Sequence, residues 1–421
     1  MITETQFSAS QLEKSDSSPL TVSPSRVSLE VALLTGGIDK PYVYGLATAL
    51  MAHGVRLDIV GSDEVDSPEF HTSATTRFLN LRGDQGEATL LEKVGRISRY
   101  YARLLQYAAG SKAGIFHILW NNRFQTLDRT LLMLYYKVLG KKVVFTAHNV
   151  NAARRDSKDS LLNRITLRIQ YRLADHIFVH TEKMKTELAE DFGVPASKAT
   201  VIPFGINNAV PHTDLTPAEA KSRLGIRAEQ KILLFFGRIG PYKGLEYLVD
   251  AFEKLVSEDE TYRLVIAGKA KGGAEDYLAS IRARIQRDFP AGSVIEKIAF
   301  IPDEDTEVYF KAADALILPY TEVFQSGVLF LGYSFGVPVI ATDIGSMSDG
   351  IDEGSTGLLC KPKDAADLAR VIGDYFSSDM YTSLNARRGQ IRQYALSRNS
   401  WDVVSEMTVN VYSGLLRGAQ S

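Results

Sequence analysis

Short β-branched runs alternate with longer segments of helical periodicity from Val27 to Cys360, and the alternation runs through the chain twice. Parallel strands cannot be joined by tight turns. Each pair needs a crossover, and the crossover helices cover both faces of the sheet, so its strands read as continuous apolar runs. In the first half the expected strands are "VSLEVALLT", "VRLDIVGS", "IFHILW", "KKVVFTAHN", "HIFVHT" and "ATVIPFG". Between them "PYVYGLATALMAHG", "LLEKVGRISRYYARLLQYA" and "LLNRITLRIQYRLA" carry apolar residues three and four apart, the spacing of an amphipathic helix.

The pattern pauses after "FGINNAVPHTDL". There "TPAEAKSRLG" supplies a capped helix, with Thr216 as N-cap, Pro217 at the first helical position, Glu219 closing a capping box and Gly225 ending it. This is the expected interdomain linker. The alternation restarts with "KILLFFGR", "RLVIAG", "VIEKIAFI", "ALILPY", "VPVIAT" and "GLLC". At 421 residues the chain exceeds one ordinary domain. The expected organisation is a disordered Ser/Thr-rich tail over residues 1–25, one α/β domain over 26–210, a second over 211–395, and a last helix over 396–421. In doubly wound sheets, ligands bind outside the carboxyl ends of the strands, so polar loops at those ends are where chemistry is expected.

Several function classes drop out. A net charge of −2 offers no global attraction to nucleic acid. The single cysteine, Cys360, excludes an internal disulfide framework and a cysteine zinc site, which fits a cytoplasmic location. No run of about 18 apolar residues suggests a membrane span, and the amino-terminal stretch lacks the apolar core of a signal peptide. Asp303-Glu304-Asp305 matches a D-x-D metal pattern but follows Pro302 at a helix start, where acids suit the dipole. Neither the G-x-S-x-G elbow nor the G-x-x-x-x-G-K-[ST] loop occurs.

The candidate site residues lie at strand ends. In "FFGRIGPYKGLEYLVDAF", Arg238 and Lys243 follow a buried strand and precede a helix, while Gly237, Gly240 and Gly244 let a ligand approach the backbone. Two cations beside a helix amino-terminus suit a diphosphate. Three strands on, "YTEVFQSGV" offers Glu322 to sugar hydroxyls, and Ser326 with the amides of Gly327 and Val328 to an anion. Gly36 and Gly37 follow the first strand, and His148 ends another. The basic run Arg154, Arg155, Lys158, Arg164, Arg168 and Arg172 reads either as a solvated helix face or as contact with anionic lipid or a phosphate-bearing acceptor.

Taken together, "FFGRIGPYKGLEYLVDAF", the segment from Ala312 to Pro362 and "FTAHN" resemble retaining glycosyltransferases of the GT-B fold, in the broad family GT4. The resemblance implies two Rossmann-like domains facing across a cleft and a nucleoside diphosphate sugar as donor substrate. It further implies that Arg238 and Lys243 bind the donor diphosphate, that Gly37 approaches the donor, and that His148 lies beside its sugar. Ile298, Phe300 and Ile301 would border the base, and Glu322, Gln325, Ser326, Gly327 and Val328 would complete the donor loop. His148, Arg238, Lys243 and Glu322 are then the catalytic candidates. No metal is required if Arg238, Lys243 and the helix end neutralise the phosphates.

The implied acceptor is a carbohydrate, lipid-linked or small-molecule hydroxyl in polysaccharide or glycoconjugate synthesis; the lipid reading of the basic run would add peripheral contact at the inner membrane face. The last helix, around Trp401 to Leu416, would cross back to the first domain. One departure stands out. Many relatives carry a second glutamate after the loop, for the ribose hydroxyls, but here Phe330 and Leu331 occupy the region; relatives with a Gln-Ser-Gly loop are more similar. The alternatives are a GT-B-fold nucleotide-sugar epimerase and a non-catalytic nucleotide-sugar-binding module.

Overall fold

The structure, a computed structural model, describes residues 29–83, 86, 89–155, 158–208, 210–323 and 325–418. The tail expected over residues 1–25 lies outside them. The first sheet contains β1 (Glu30–Leu34), β2 (Arg56–Gly61), β3 (Thr76–Asn80), β4 (Ile115–Ile118), β5 (Lys142–Thr146), β6 (His176–Val179) and β7 (Ala199–Val201). Its order is β3-β2-β1-β4-β5-β6-β7, parallel throughout. The second contains β8 (Lys231–Phe236), β9 (Tyr262–Ala267), β10 (Val294–Lys297), β11 (Ala315–Leu318), β12 (Val339–Thr342) and β13 (Gly357–Cys360), in the parallel order β10-β9-β8-β11-β12-β13. These are two doubly wound parallel α/β sheets.

β3 is the strand that the sequence pattern does not announce. It is an edge strand, "TRFLN", with only Thr76 buried, so no continuous apolar run marks it. A second correction concerns "VIEKIAFI". The strand ends at Lys297, so Ile298 to Ile301 form a loop at its carboxyl end.

The capped helix at Pro217–Arg223 keeps its expected box, with Thr216 and Glu219 each bonding back to the other's backbone. It is not a free linker. Lys221 Nζ donates to Asp314 Oδ2 at 2.9 Å, and the same oxygen accepts from Ile232 N at 2.8 Å, at the start of β8. Both side chains are buried, and burial pushes the Asp314 carboxyl up. Removing one partner of such a pair costs about 3–5 kcal/mol, because the other is left as an uncompensated buried charge. The helix is therefore pinned to the second sheet.

The final helix, Trp401–Arg417, packs on the Lys40–Ala52 helix of the first sheet. Its Trp401 indole lies where a Cβ at Gly45 or Gly205 would stand, 2.0 and 2.4 Å from ring atoms, so only glycine admits it. Trp401 Nε1 donates to Ile206 O at 2.7 Å, and Tyr412 Oη meets buried His117 Nδ1 at 2.6 Å. The two stretches that pass between the sheets are tied together: Ile206 N donates to Asn399 O, and Asn399 Nδ2 to Phe204 O, both at 2.9 Å.

Candidate active site

Each sheet reverses its strand order once, at β1/β4 and at β8/β11, and a crevice opens at such a point because the two connections leave in opposite directions. The Gly36–Gly37 turn leaves β1, and Trp120 to Arg123 follow β4. On the other sheet Arg238 and Lys243 follow β8, and the Thr321–Gly327 loop follows β11. Loops far apart in sequence thus become neighbours on each rim.

On the second rim Lys243 is 8% exposed, and its Nζ donates to Tyr320 Oη while lying 3.7 Å from that ring's centroid. Tyr320 Oη in turn meets Ser326 Oγ at 3.2 Å. Gly244 makes this approach possible: it has φ +64, and a Cβ there would stand 2.0 Å from Pro319 O. Ser326 is the N-cap of the Gly327–Ser334 helix, yet its side chain makes no capping bond. The first amides of that helix are therefore left for a ligand. Gln325 Oε1 is buried and finds no donor among the described residues. Arg238 is exposed, and Gly237, at φ +105, stands against Val328.

The first rim is aromatic. The His148 ring stacks on Trp120 at 4.1 Å and 6°, and its Nδ1 lies 3.0 Å from His180 Nε2. His148 Nε2 is buried and lacks a partner among the described residues. Burial, with His180 and His117 nearby, pushes the His148 imidazolium well below its usual range; burial takes His180 to about 4. Both rings are neutral at physiological pH. Tyr42, Phe204 and Trp401 complete the cluster, with Tyr42 at 5.6 Å from Phe204 and 5.0 Å from Trp401. Phe204 stacks at 5.8 Å on Phe330, joining the two halves. Gly37 has φ +70, donates its amide to Thr35 Oγ1 and is overlain by Arg82 and Ser62.

A cavity of about 310 Å³ lies between the rims, lined by Asp39, Tyr42, Phe204, Lys243, Gln325, Ser326, Gly327, Val328 and Leu331 among others. Glu322 is exposed and lines a larger cavity of about 750 Å³, opposite Arg154 and Lys183. Val323 borders both. The candidates are thus brought to one cleft but divided within it, with Glu322 on one side of Val323 and Lys243, Gln325 and Ser326 on the other. Ile298 is half-buried, Phe300 exposed at 74%, and Ile301 sits in the core, which leaves its backbone rather than its side chain for a ligand.

Sequence reasoning missed Tyr320, the aromatic cluster and Asp39. Asp39 adopts left-handed backbone at φ 60 and caps the Lys40–Ala52 helix through Tyr42 N. The residue is exposed at the cleft, yet desolvation of its carboxyl by the surrounding protein pushes it up to about 6, against the lowering effect of the hydrogen bond from the Tyr42 amide and of Arg238. An acid directly after "GGI", before Pro41, was the available signal. Leu331 is buried and lines the smaller cavity, so its wall is apolar at that point.

Asp303, Glu304 and Asp305 form the first turn of a helix, as their place after Pro302 predicts, and among the described residues no group of three or more His, Cys, Asp or Glu could hold a metal. Three members of the basic run are engaged within the chain: Arg154 pairs with Asp191 at 3.0 Å, Arg164 with Asp159 at 2.6 Å, and Arg168 donates to Asp191 O. That leaves membrane contact by this run without support. Among the described residues no helix is long and apolar enough to cross a membrane.

Two family models match the chain, Glycosyltransferase Family 4 over residues 40–210 and Glycosyl transferases group 1 over residues 218–396. Sucrose-phosphate synthase from Thermosynechococcus elongatus has the same fold, with a TM-score of 0.72 at 20% identity over 93% of this chain and 100% of that one. Anabaena HepE, solved with UDP and glucose, gives a TM-score of 0.71 at 17% identity over 92% and 99%. The fold is the GT-B fold of these neighbours, and each sheet carries a match to one glycosyltransferase family model. A D-inositol 3-phosphate glycosyltransferase from Streptomyces bingchenggensis is 28% identical over 249 residues, covering 58% of this chain and 54% of the relative. The matched region thus spans about half the length of that curated relative.

Proposed function

We propose that the chain transfers a sugar from a nucleoside diphosphate sugar to an acceptor hydroxyl with retention at the anomeric carbon. The observation that carries this reading is the anion place on the second rim, where buried Lys243, Tyr320, Ser326 and an uncapped helix end border one cavity. Solved neighbours of the same fold include one described in complex with UDP and glucose, which supports a diphosphate sugar as the ligand.

In the proposed reaction the bond from the anomeric carbon to the β-phosphate oxygen breaks as the acceptor oxygen attacks from the same face. The acceptor proton passes to the departing phosphate oxygen. Negative charge grows on that phosphate, where Lys243, Arg238 and the Gly327 and Val328 amides would stabilise it. With these groups neutralising the diphosphate, transfer is proposed to need no metal. His148, neutral and fixed by Trp120, would offer shape and a single hydrogen bond to the donor sugar. The proposed setting is polysaccharide or glycoconjugate synthesis.

Thermal stabilisation by UDP, GDP, ADP and their sugar derivatives identifies the donor, since a ligand binding only the native state raises stability by mass action. Incubation with the stabilising sugar nucleotide, with and without acceptors, then tests transfer. A sugar isomerised without any acceptor would mark an epimerase. A nucleotide sugar bound but never hydrolysed or transferred, across a broad acceptor panel, would mark a binding module.

A further inference from the structure

We infer that His180 is a positioning residue for the transfer: it fixes His148 in the tautomer that carries its proton on Nδ1, so that His148 Nε2 meets the donor sugar only as a hydrogen-bond acceptor. This rests on the transferase reading given above. The sheet sets the arrangement. β5, β6 and β7 are parallel neighbours, so the residues just past their carboxyl ends, His148, His180 and Ile202, stand side by side.

One carbonyl fixes every proton in this row. His180 Nδ1 lies 3.3 Å from Ile202 O, and a carbonyl oxygen only accepts, so this nitrogen carries the His180 proton. Burial keeps both imidazoles neutral, and a neutral ring has a single N–H. His180 Nε2 is therefore a lone pair. It stands 3.0 Å from His148 Nδ1, which must donate to it. The Leu119 carbonyl also bonds the His148 ring, and with Nε2 unpartnered among the described residues that bond falls to Nδ1 as well. The opposite assignment would set a His180 lone pair against Ile202 O and leave a buried N–H on His148 without an acceptor, and both are costly.

The row ends beside the cleft. Tyr42 and Phe204 line the cavity of about 310 Å³ and lie 4.6 and 6.3 Å from the His148 ring, while Trp120 stacks on its face at 4.1 Å. Held by that stack and by the His180 bond, the ring keeps Nε2 as its one unused polar atom. A lone pair accepts from a hydroxyl, and gains nothing from an ether, a carbonyl or a carbon-bound hydrogen. The site therefore favours a donor sugar with a free hydroxyl at this contact, and disfavours the deoxy or O-substituted sugar by leaving Nε2 unpaired.

The test uses the full chain as wild type and as His180→Leu, His180→Gln and His148→Phe. Long-range proton–nitrogen correlation spectra of the histidine-labelled protein, taken near neutral pH, report which nitrogen of each of its seven histidines is protonated, and the His148→Phe spectrum assigns His148. Without any ligand, wild type should show the His148 proton on Nδ1. His180→Leu removes the acceptor, so a second species protonated on Nε2 should appear. His180→Gln offers a carboxamide oxygen in its place and should keep the wild-type pattern. With a nucleotide sugar and acceptor supplied, kcat/KM for the sugar nucleotide should fall about tenfold in His180→Leu, the size of one lost neutral hydrogen bond, and recover in His180→Gln. In the His148→Phe background His180→Leu should cost nothing further, because His180 acts through His148. A His148 proton on Nε2 in wild type overturns the inference, whether or not His180→Leu folds. So does a tautomer pattern that His180→Leu leaves unchanged. Either result leaves the transferase reading intact. The expected tautomers in a chain that transfers sugar from no nucleotide sugar overturn the transferase reading and leave the histidine row standing.

Discussion

The two rims of the cleft answer opposite requirements. On the second rim a lysine is buried against a tyrosine, a hydroxyl sits at an uncapped helix end, and an arginine stands in the open. On the first rim the titratable rings are stacked, buried and neutral, as His148 and His180 show. Desolvation explains the contrast. A charge is kept out of water only where partners satisfy it, as Tyr320 does for Lys243, while an imidazole packed on Trp120 sheds its proton instead. The second rim is built to meet charge, the first to meet shape.

The sharpest way to break that contrast is to remove the buried cation. Lys243→Ala should lower kcat/KM about a hundredfold, in line with the loss of one preorganised donor to a developing oxyanion; steady-state kinetics check it, and near-wild-type turnover would refute the charged-rim assignment. Arg238→Ala, exposed and freer to be replaced by solvent, should lose somewhat more than about tenfold. Tyr320→Phe keeps the ring under Lys243 but deletes the hydroxyl linking it to Ser326. Turnover should fall about tenfold with the melting temperature little moved.

On the neutral rim, Gly37→Ala tests shape. Its Cβ would meet Arg82 Cδ and Ser62 Oγ at 3.0 Å with φ at +70, so the turn must shift. Affinity for the donor should drop about fivefold, or roughly 1 kcal/mol, read as nucleotide-sugar Kd. The smallest effect is expected at Asp39. Its carboxyl titrates near 6 in the folded protein, above its ordinary 3.8, so its contribution to stability is present below about 4 and is lost as pH rises through about 6. Above that pH its charge also faces the incoming diphosphate. Nucleoside diphosphate affinity should weaken two- to threefold (about 0.5 kcal/mol) between pH 5 and 7, and Asp39→Asn, which tolerates left-handed backbone, should flatten that profile. A flat wild-type profile would contradict this.

Much of the fold was legible because a parallel strand covered on both faces must be apolar along its length. β8 and β11 are examples, and β3, half polar at an edge, is where the signal fails. The site was legible only in pieces. "GRIGPYKG" and "YTEVFQSG" could each be picked out as polar loops after strands. Tyr320 looked like the end of a buried strand, and nothing local marks it as the partner of Lys243, 77 residues away.

By itself, the sequence determined the two alternating α/β halves, the capped helix at Thr216, and the polar loops at strand ends, because propensity, periodicity and capping act within a few residues of chain. The tertiary structure alone decided which loops meet. Strand order made neighbours of β8 and β11 and of β1 and β4, and Trp401 against Gly45 and Gly205 set the last helix on the first sheet. Those contacts depend on long-range packing, so burial, charge state and the split of the cleft into two cavities arise only once the whole chain has folded.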